Sequence, residues 1–178
     1  GVNFAALYAY YLASPLNWLI MLCPKGYVIE FMTYMIVLKT GLAGLTFAWY
    51  LSKHCRTRDF GTAYFAIFYA LSGYMAAYSW NIMWLDCILL FPVIMLGLEQ
   101  LVKEGKGLLY GISLGVCILS NYYISIMICM FMVIYFFALW ILESGRSGRD
   151  FVVSGLKFAG YSVLAGGLSA AVLLPEIF

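Results

Sequence analysis

Three ionisable side chains stand inside otherwise apolar stretches of this chain: Lys39, Asp86 and Glu99. Such groups are costly at membrane depth, so each implies either a partner of opposite charge or a task. Lys39 lies in the apolar run 30–52, about 13 Å from its start at 1.5 Å per residue. There an ammonium needs a carboxylate on a neighbouring helix, or it serves an anionic substrate. Asp86 closes the string Trp80-Asn81-Ile82-Met83-Trp84-Leu85-Asp86. Turn polarity accounts for that string. Holding a lipid-linked or sugar-bearing substrate also accounts for it, since aromatic faces stack on sugars. Glu99 precedes Lys103 at i+4 and reads as its partner. Asn121, Tyr122 and Tyr123 form a second polar, aromatic string. No P-loop, G-x-S-x-G or H-E-x-x-H motif is present. The five cysteines (Cys23, Cys55, Cys87, Cys117, Cys129) form no C-x-x-C pair, and His54 is alone in a basic loop. They read as small buried hydrophobes, and no metal or other cofactor is expected.

These residues are positioned by a membrane. Apolar residues make up 65% of the chain and charged ones 10%, and the mean hydropathy is +0.96. Soluble domains run at roughly half apolar and a quarter charged, and a chain of 178 residues has too much surface to hide this excess from water. The solvent is lipid. A net charge of +2 with clustered basic residues gives no sign of nucleic-acid binding. The 19% aromatic content suits interfacial belts. No basic region followed by a short apolar core marks a signal peptide. The chain, starting at Gly1 and ending Leu-Leu-Pro-Glu-Ile-Phe, reads as an internal fragment of a longer protein.

A span of about 20 apolar residues crosses the hydrocarbon. The first span is predicted over 30–52. A single helix over 60–102 would be about 65 Å long, twice that thickness, so the chain must fold back at Asn81–Asp86, giving spans 60–80 and 84–102. The run 108–142 poses the same problem and is predicted to break at Ser120–Tyr123, giving 108–120 and 123–142. A sixth span follows at 158–174, ended by Pro175. Gly41-x-x-Gly44 and Gly111-x-x-x-Gly115 are read as close-packing sites. Residues 1–29, cut by Pro15 and Pro24, are predicted to be an extracytoplasmic interfacial segment, with Trp18 and the Tyr8, Tyr10 and Tyr11 group at headgroup depth.

This parity puts the loops 53–59, 103–107 and 143–157 on one face. They carry Lys53, Arg56, Arg58, Lys103, Lys106, Arg146, Arg149 and Lys157, leaving only Lys25 and Lys39 of the ten basic residues elsewhere. The positive-inside rule makes that face cytoplasmic. Residues 1–29 and the two polar turns then converge on the outer face, where one cavity is expected.

The strings SPLNW (14–18), LKTGLAGLTF (38–47), ALSGYMAAYSWNIMWLD (70–86), LGLEQLV (96–102) and SNYYIS (120–125) resemble the YfhO family of bacterial membrane proteins, in order and over nearly the whole chain. The resemblance implies an all-α, polytopic transmembrane bundle of the GT-C glycosyltransferase kind in the bacterial cell membrane. It further implies a sugar transferred from a polyprenyl-phosphate carrier to a cell-surface polymer such as lipoteichoic acid. The usual GT-C base lies in the first outer loop, which would fall upstream of Gly1. Asp86 is the candidate acid–base group in this stretch. Lys39 or Lys25 are candidate phosphate partners, and Asn81, Trp84, Asn121, Tyr122 and Tyr123 are candidate substrate contacts. A transporter or flippase for lipid-linked sugar or polymer is the alternative; a membrane scaffold would need no cavity at Asp86.

Overall fold

The computed structural model describes residues 14–142 and 148–170, apart from the Lys25 side chain. Every regular element among them is helical. Two short 3-10 turns, Asn17–Leu22 and Lys25–Tyr27, lead into seven helices: α1 (Val28–His54), α2 (Phe60–Ala70), α3 (Gly73–Tyr78), α4 (Ile82–Glu104), α5 (Leu108–Ser120), α6 (Tyr122–Leu142) and α7 (Gly148–Leu168). By length and composition α1, α4, α6 and α7 can each cross a membrane. The α2–α3 pair and the short α5 return the chain between them, so the bundle makes six passes.

Local chemistry explains where the helices start and stop. Asp59 caps α2, its carboxylate accepting from the Thr62 amide at 3.1 Å. Gly105 ends α4 in the left-handed region at φ 74°, a conformation that costs glycine little. Asn121 breaks the run 108–142 as predicted. Its backbone is extended, and its Oδ1 accepts from the Ile124 amide at 3.0 Å, capping the next helix. Pro24 is extended at ψ 141°, so residues 14–27 form turns rather than a span.

Two expectations need correction. Residues 60–80 are not one helix. Ser72 adopts ψ 158°, which separates α2 from α3 beside the flexible Gly73. The last helix begins at Gly148, ten residues before the predicted 158. Asp150 stands in its first turn, where a carboxylate opposes the positive end of the helix dipole. The third basic loop is correspondingly shorter. Residues 1–13 with Tyr8, Tyr10 and Tyr11, residues 143–147 with Arg146, and residues 171–174 of the predicted last span lie outside the described residues.

α4 is the central helix, packed against α1, α5, α6 and α7. Its Cys87, Ile94, Leu98 and Leu101 are fully buried with Leu114, Cys117 and Met132 of the neighbouring helices. On the outside, Ile29, Val37 and Leu45 of α1 and Val163 and Leu164 of α7 are largely exposed, an arrangement that suits lipid and not water. Phe136 of α6 stacks on Phe158 of α7 at 4.9 Å between centroids. Phe47 of α1 stacks on Tyr69 of α2 at 4.4 Å.

Small residues set the closest approaches. A Cβ on Gly97 would lie 2.5 Å from the Tyr110 amide nitrogen, so α4 and α5 touch backbone to backbone there. Gly44, Gly111 and Gly115 are close contacts, as their spacing predicts, whereas Gly41 faces open space. Gly97→Ala is expected to lower stability by about 1–3 kcal/mol through overpacking. Gly41→Ala is expected to be neutral or stabilising, by up to about 1 kcal/mol. Thermal unfolding of both variants in one detergent checks the contrast.

Candidate functional site

The site forms where α1 enters the bundle and α4 begins. The Lys39 ammonium has three N–H donors, and three acceptors meet it. They are Asp86 Oδ2 at 2.8 Å, Asn17 Oδ1 at 2.6 Å and the Ile82 carbonyl at 3.1 Å. Lys39 is 0% exposed and Asp86 2%. Ser14 Oγ also donates to Asp86 Oδ2. The remaining carboxylate oxygen, Oδ1, is buried with no hydrogen-bond partner among the described residues. The carboxylate that Lys39 requires on a neighbouring helix is therefore Asp86. Lys39 has no donor left for a phosphate. Lys25, the other candidate phosphate partner, has its side chain outside the described residues.

A cavity of about 630 Å³ lies against this cluster. Ile20, Phe31, Met32 and Met35 give it apolar walls, and its polar points are Asn17, Asn81 and Trp84. Asn81 precedes α4 as the cap residue, yet its side chain makes no capping bond. Its Nδ2 and the Trp84 Nε1 are buried donors without partners among the described residues. Trp80, also on the wall, is held by its own Nε1 donating to the Ala77 carbonyl at 3.1 Å. Asp86 itself stands one turn deeper and does not line the cavity.

The expected convergence of three segments is met by two. Residues 17–20 and 80–84 share the cavity, whereas Asn121 and Tyr122 do not line it. Asn121 is fully buried, and its Oδ1 is spent on the α6 cap. Tyr123 reaches the site's edge, its ring 6.4 Å from that of Trp84.

A second cluster sits at the other end of α4. Glu99 Oε1 accepts from Tyr135 OH at 2.7 Å, from Tyr50 OH at 3.1 Å and pairs with His54 Nδ1 at 2.7 Å. Its Oε2 takes Lys103 Nζ at 3.1 Å, the predicted i+4 pair. Sequence reasoning missed Tyr50, His54 and Tyr135 here, and Ser14 and Asn17 at the first cluster. One signal was present: Lys39, Tyr50 and His54 are spaced to lie within about 60° on one face of a helix. The polar residues of SPLNW carried no signal of their own.

A family model described as bacterial membrane protein YfhO matches residues 1–178, and the chain belongs to that family. Neither a curated protein nor a solved structure matches it.

Breaking a buried pair by removing one partner costs about 3–5 kcal/mol, because the other charge is left buried. Lys39→Met and Asp86→Leu are each expected to be destabilising on that scale, and the double variant to recover most of the loss. A double-mutant cycle on thermal unfolding in detergent measures it. Additive losses would show that the two charges are not coupled.

Proposed function

We propose that this member of the YfhO family is part of a multi-pass, GT-C-like glycosyltransferase that moves a sugar from a polyprenyl-phosphate carrier to a cell-surface polymer such as lipoteichoic acid. The observation that carries the reading is the apolar cavity of about 630 Å³ walled by Trp80 and Trp84 beside a buried carboxylate. Apolar walls suit a prenyl chain, and indole faces suit a sugar ring. The positive-inside rule supports the orientation, with the loops 53–59 and 103–107 and the basic residues at the start of α7 in the cytoplasm and the cavity outside. Within the structure, His54, Lys103 and Lys157 do gather at the end away from the cavity. His54 and Lys103 share Glu99, and Lys157 Nζ donates to the Gly105 carbonyl at 3.3 Å.

In the proposed reaction a carboxylate removes the proton of the acceptor hydroxyl as that oxygen attacks the anomeric carbon. The bond to the carrier breaks, and its electron pair leaves with the polyprenyl phosphate. Asp86 is the candidate base in this stretch, with Oδ1 as its open oxygen. Lys39 is a positioning residue that fixes Oδ2. Ser14 Oγ donates to Oδ2 as well, and Oδ1 is buried, so access to Oδ1 requires a local opening of the site. Asn81 and Trp84 are the proposed substrate contacts, with Tyr123 behind Trp84.

One observation favours a transporter as the second reading: the helix break at Leu71 and Ser72, since discontinuous helices are a transporter feature. Asp86→Asn in cells, with protein abundance checked by immunoblot, separates the readings. Sugar incorporation into surface polymer is expected to fall about a hundredfold, the scale on which general base catalysis contributes. Unchanged incorporation would remove Asp86 from the chemistry. Labelled carrier crossing the membrane without transfer would favour the transporter.

A further inference from the structure

We infer that the start of α4 is an anion seat, where Asn81 and Trp84 take the phosphate headgroup of an amphiphile whose apolar chain lies against Ile20, Phe31 and Met32. This rests on the proposed reading of the cavity as a lipid-linked substrate site, and adds which end of that substrate meets which residues.

Three observations converge. First, α4 opens without a side-chain cap, and its first residues Ile82 and Met83 line the cavity. The Trp84 amide donates to the Asn81 carbonyl at 2.9 Å, whereas the Ile82 and Met83 amides have no partner within the helix, and the dipole of a 23-residue helix places partial positive charge there. Second, Asn81 is 4% exposed and lines the cavity, its Nδ2 without a partner among the described residues, and Trp84, partly buried on the same wall, has a buried Nε1 likewise without one. Asparagine is a preferred cap, so a cap residue that leaves its own helix open is available to a ligand. Third, the two buried side-chain nitrogens without partners among the described residues are donors. Phosphate oxygens only accept, and they match the set.

The Lys39 ammonium adds nothing directly, because Asp86, Asn17 and Ile82 occupy its donors. Among the described residues the phosphate is thus met by amides and an indole rather than by a free cation. Such a seat does not distinguish a sugar-loaded carrier from the bare carrier phosphate, so the released carrier competes with the next donor molecule.

The test uses the full chain in phosphatidylcholine nanodiscs and radiolabelled dodecyl phosphate, with protein-free nanodiscs as the blank. Saturable binding is expected. Asn81→Asp keeps the side chain's shape and remains a good helix cap, but sets a like charge against the phosphate. It should weaken binding about tenfold or more. Trp84→Phe keeps the ring and removes the donor, and should weaken binding about fivefold. Thermal midpoints near that of the parent protein show that both variants fold. Displacement of the label by dodecyl glucoside as readily as by dodecyl phosphate would overturn the inference in favour of a neutral headgroup. Equal displacement by inorganic phosphate would overturn the amphiphile, and absence of saturable binding would overturn the seat. If Asn81→Asp abolishes dodecyl phosphate binding while sugar incorporation in cells is unchanged, the seat stands and the transferase reading of this cavity fails. If dodecyl phosphate does not bind while Asp86→Asn still stops incorporation, the reverse holds.

Discussion

The buried pair between Lys39 and Asp86 constrains the rest of this bundle. Neither charge is tolerable alone in a medium without water, so α1 and α4 must meet at one register. The pair also recruits what lies around it. Three acceptors saturate the ammonium, one of them Asn17, and Ser14 donates to the carboxylate. Both residues come from the proline-interrupted turns ahead of α1. A segment too broken to span the membrane is thereby drawn onto the helices, where it becomes one wall of the cavity.

A second polar tie makes the register unambiguous. Lys39 meets Asp86 across 47 positions, while Tyr50 and His54 meet Glu99 across 49 and 45. A nearly constant offset means that α1 and α4 run side by side in the same direction. Parallel neighbours need a full return of the chain between them, and α2 and α3 supply it. Tyr135 brings α6 to the same carboxylate. The far end of α4 is therefore fastened on two sides, whereas among the described residues the near end is held by Lys39 and closed by the turns carrying Ser14 and Asn17. Any opening motion belongs at the cavity end, because fewer interactions resist it there.

Much of this was legible from residue order. Hydropathy and loop charge define the passes, and the length limit on a helix requires breaks near Asn81 and Asn121, where the structure has them. What was not legible depends on three-dimensional pairing. Lys39 demanded a carboxylate, but nothing local selected Asp86 over Glu99. The Glu99 cluster draws on three helices, and only its i+4 lysine lies near it in sequence. The split at Ser72 rests on a single extended residue inside an apolar run, and hydropathy does not register one dihedral angle. Asn121 misled for the opposite reason. Its polarity is fully explained by the cap it makes, whereas Asn81, the same residue type at the same kind of position, leaves its helix uncapped.

That contrast between two asparagines locates the open chemistry of the bundle. The costly groups, Lys39 and Glu99, have every strong interaction filled, and they hold structure. The inexpensive groups, the Asn81 amide and the Trp84 indole, are buried and left open. A folded protein rarely leaves buried donors unmatched, and two of them on one cavity wall, at the positive end of a long helix, define a demand for acceptor oxygen. A saturated ammonium beneath and unsaturated donors above make a fixed floor with a receptive rim. On the proposed reading, in which the site binds and releases a lipid-linked group, that division is useful, since a free ammonium in the same place would hold a phosphate too firmly to exchange it.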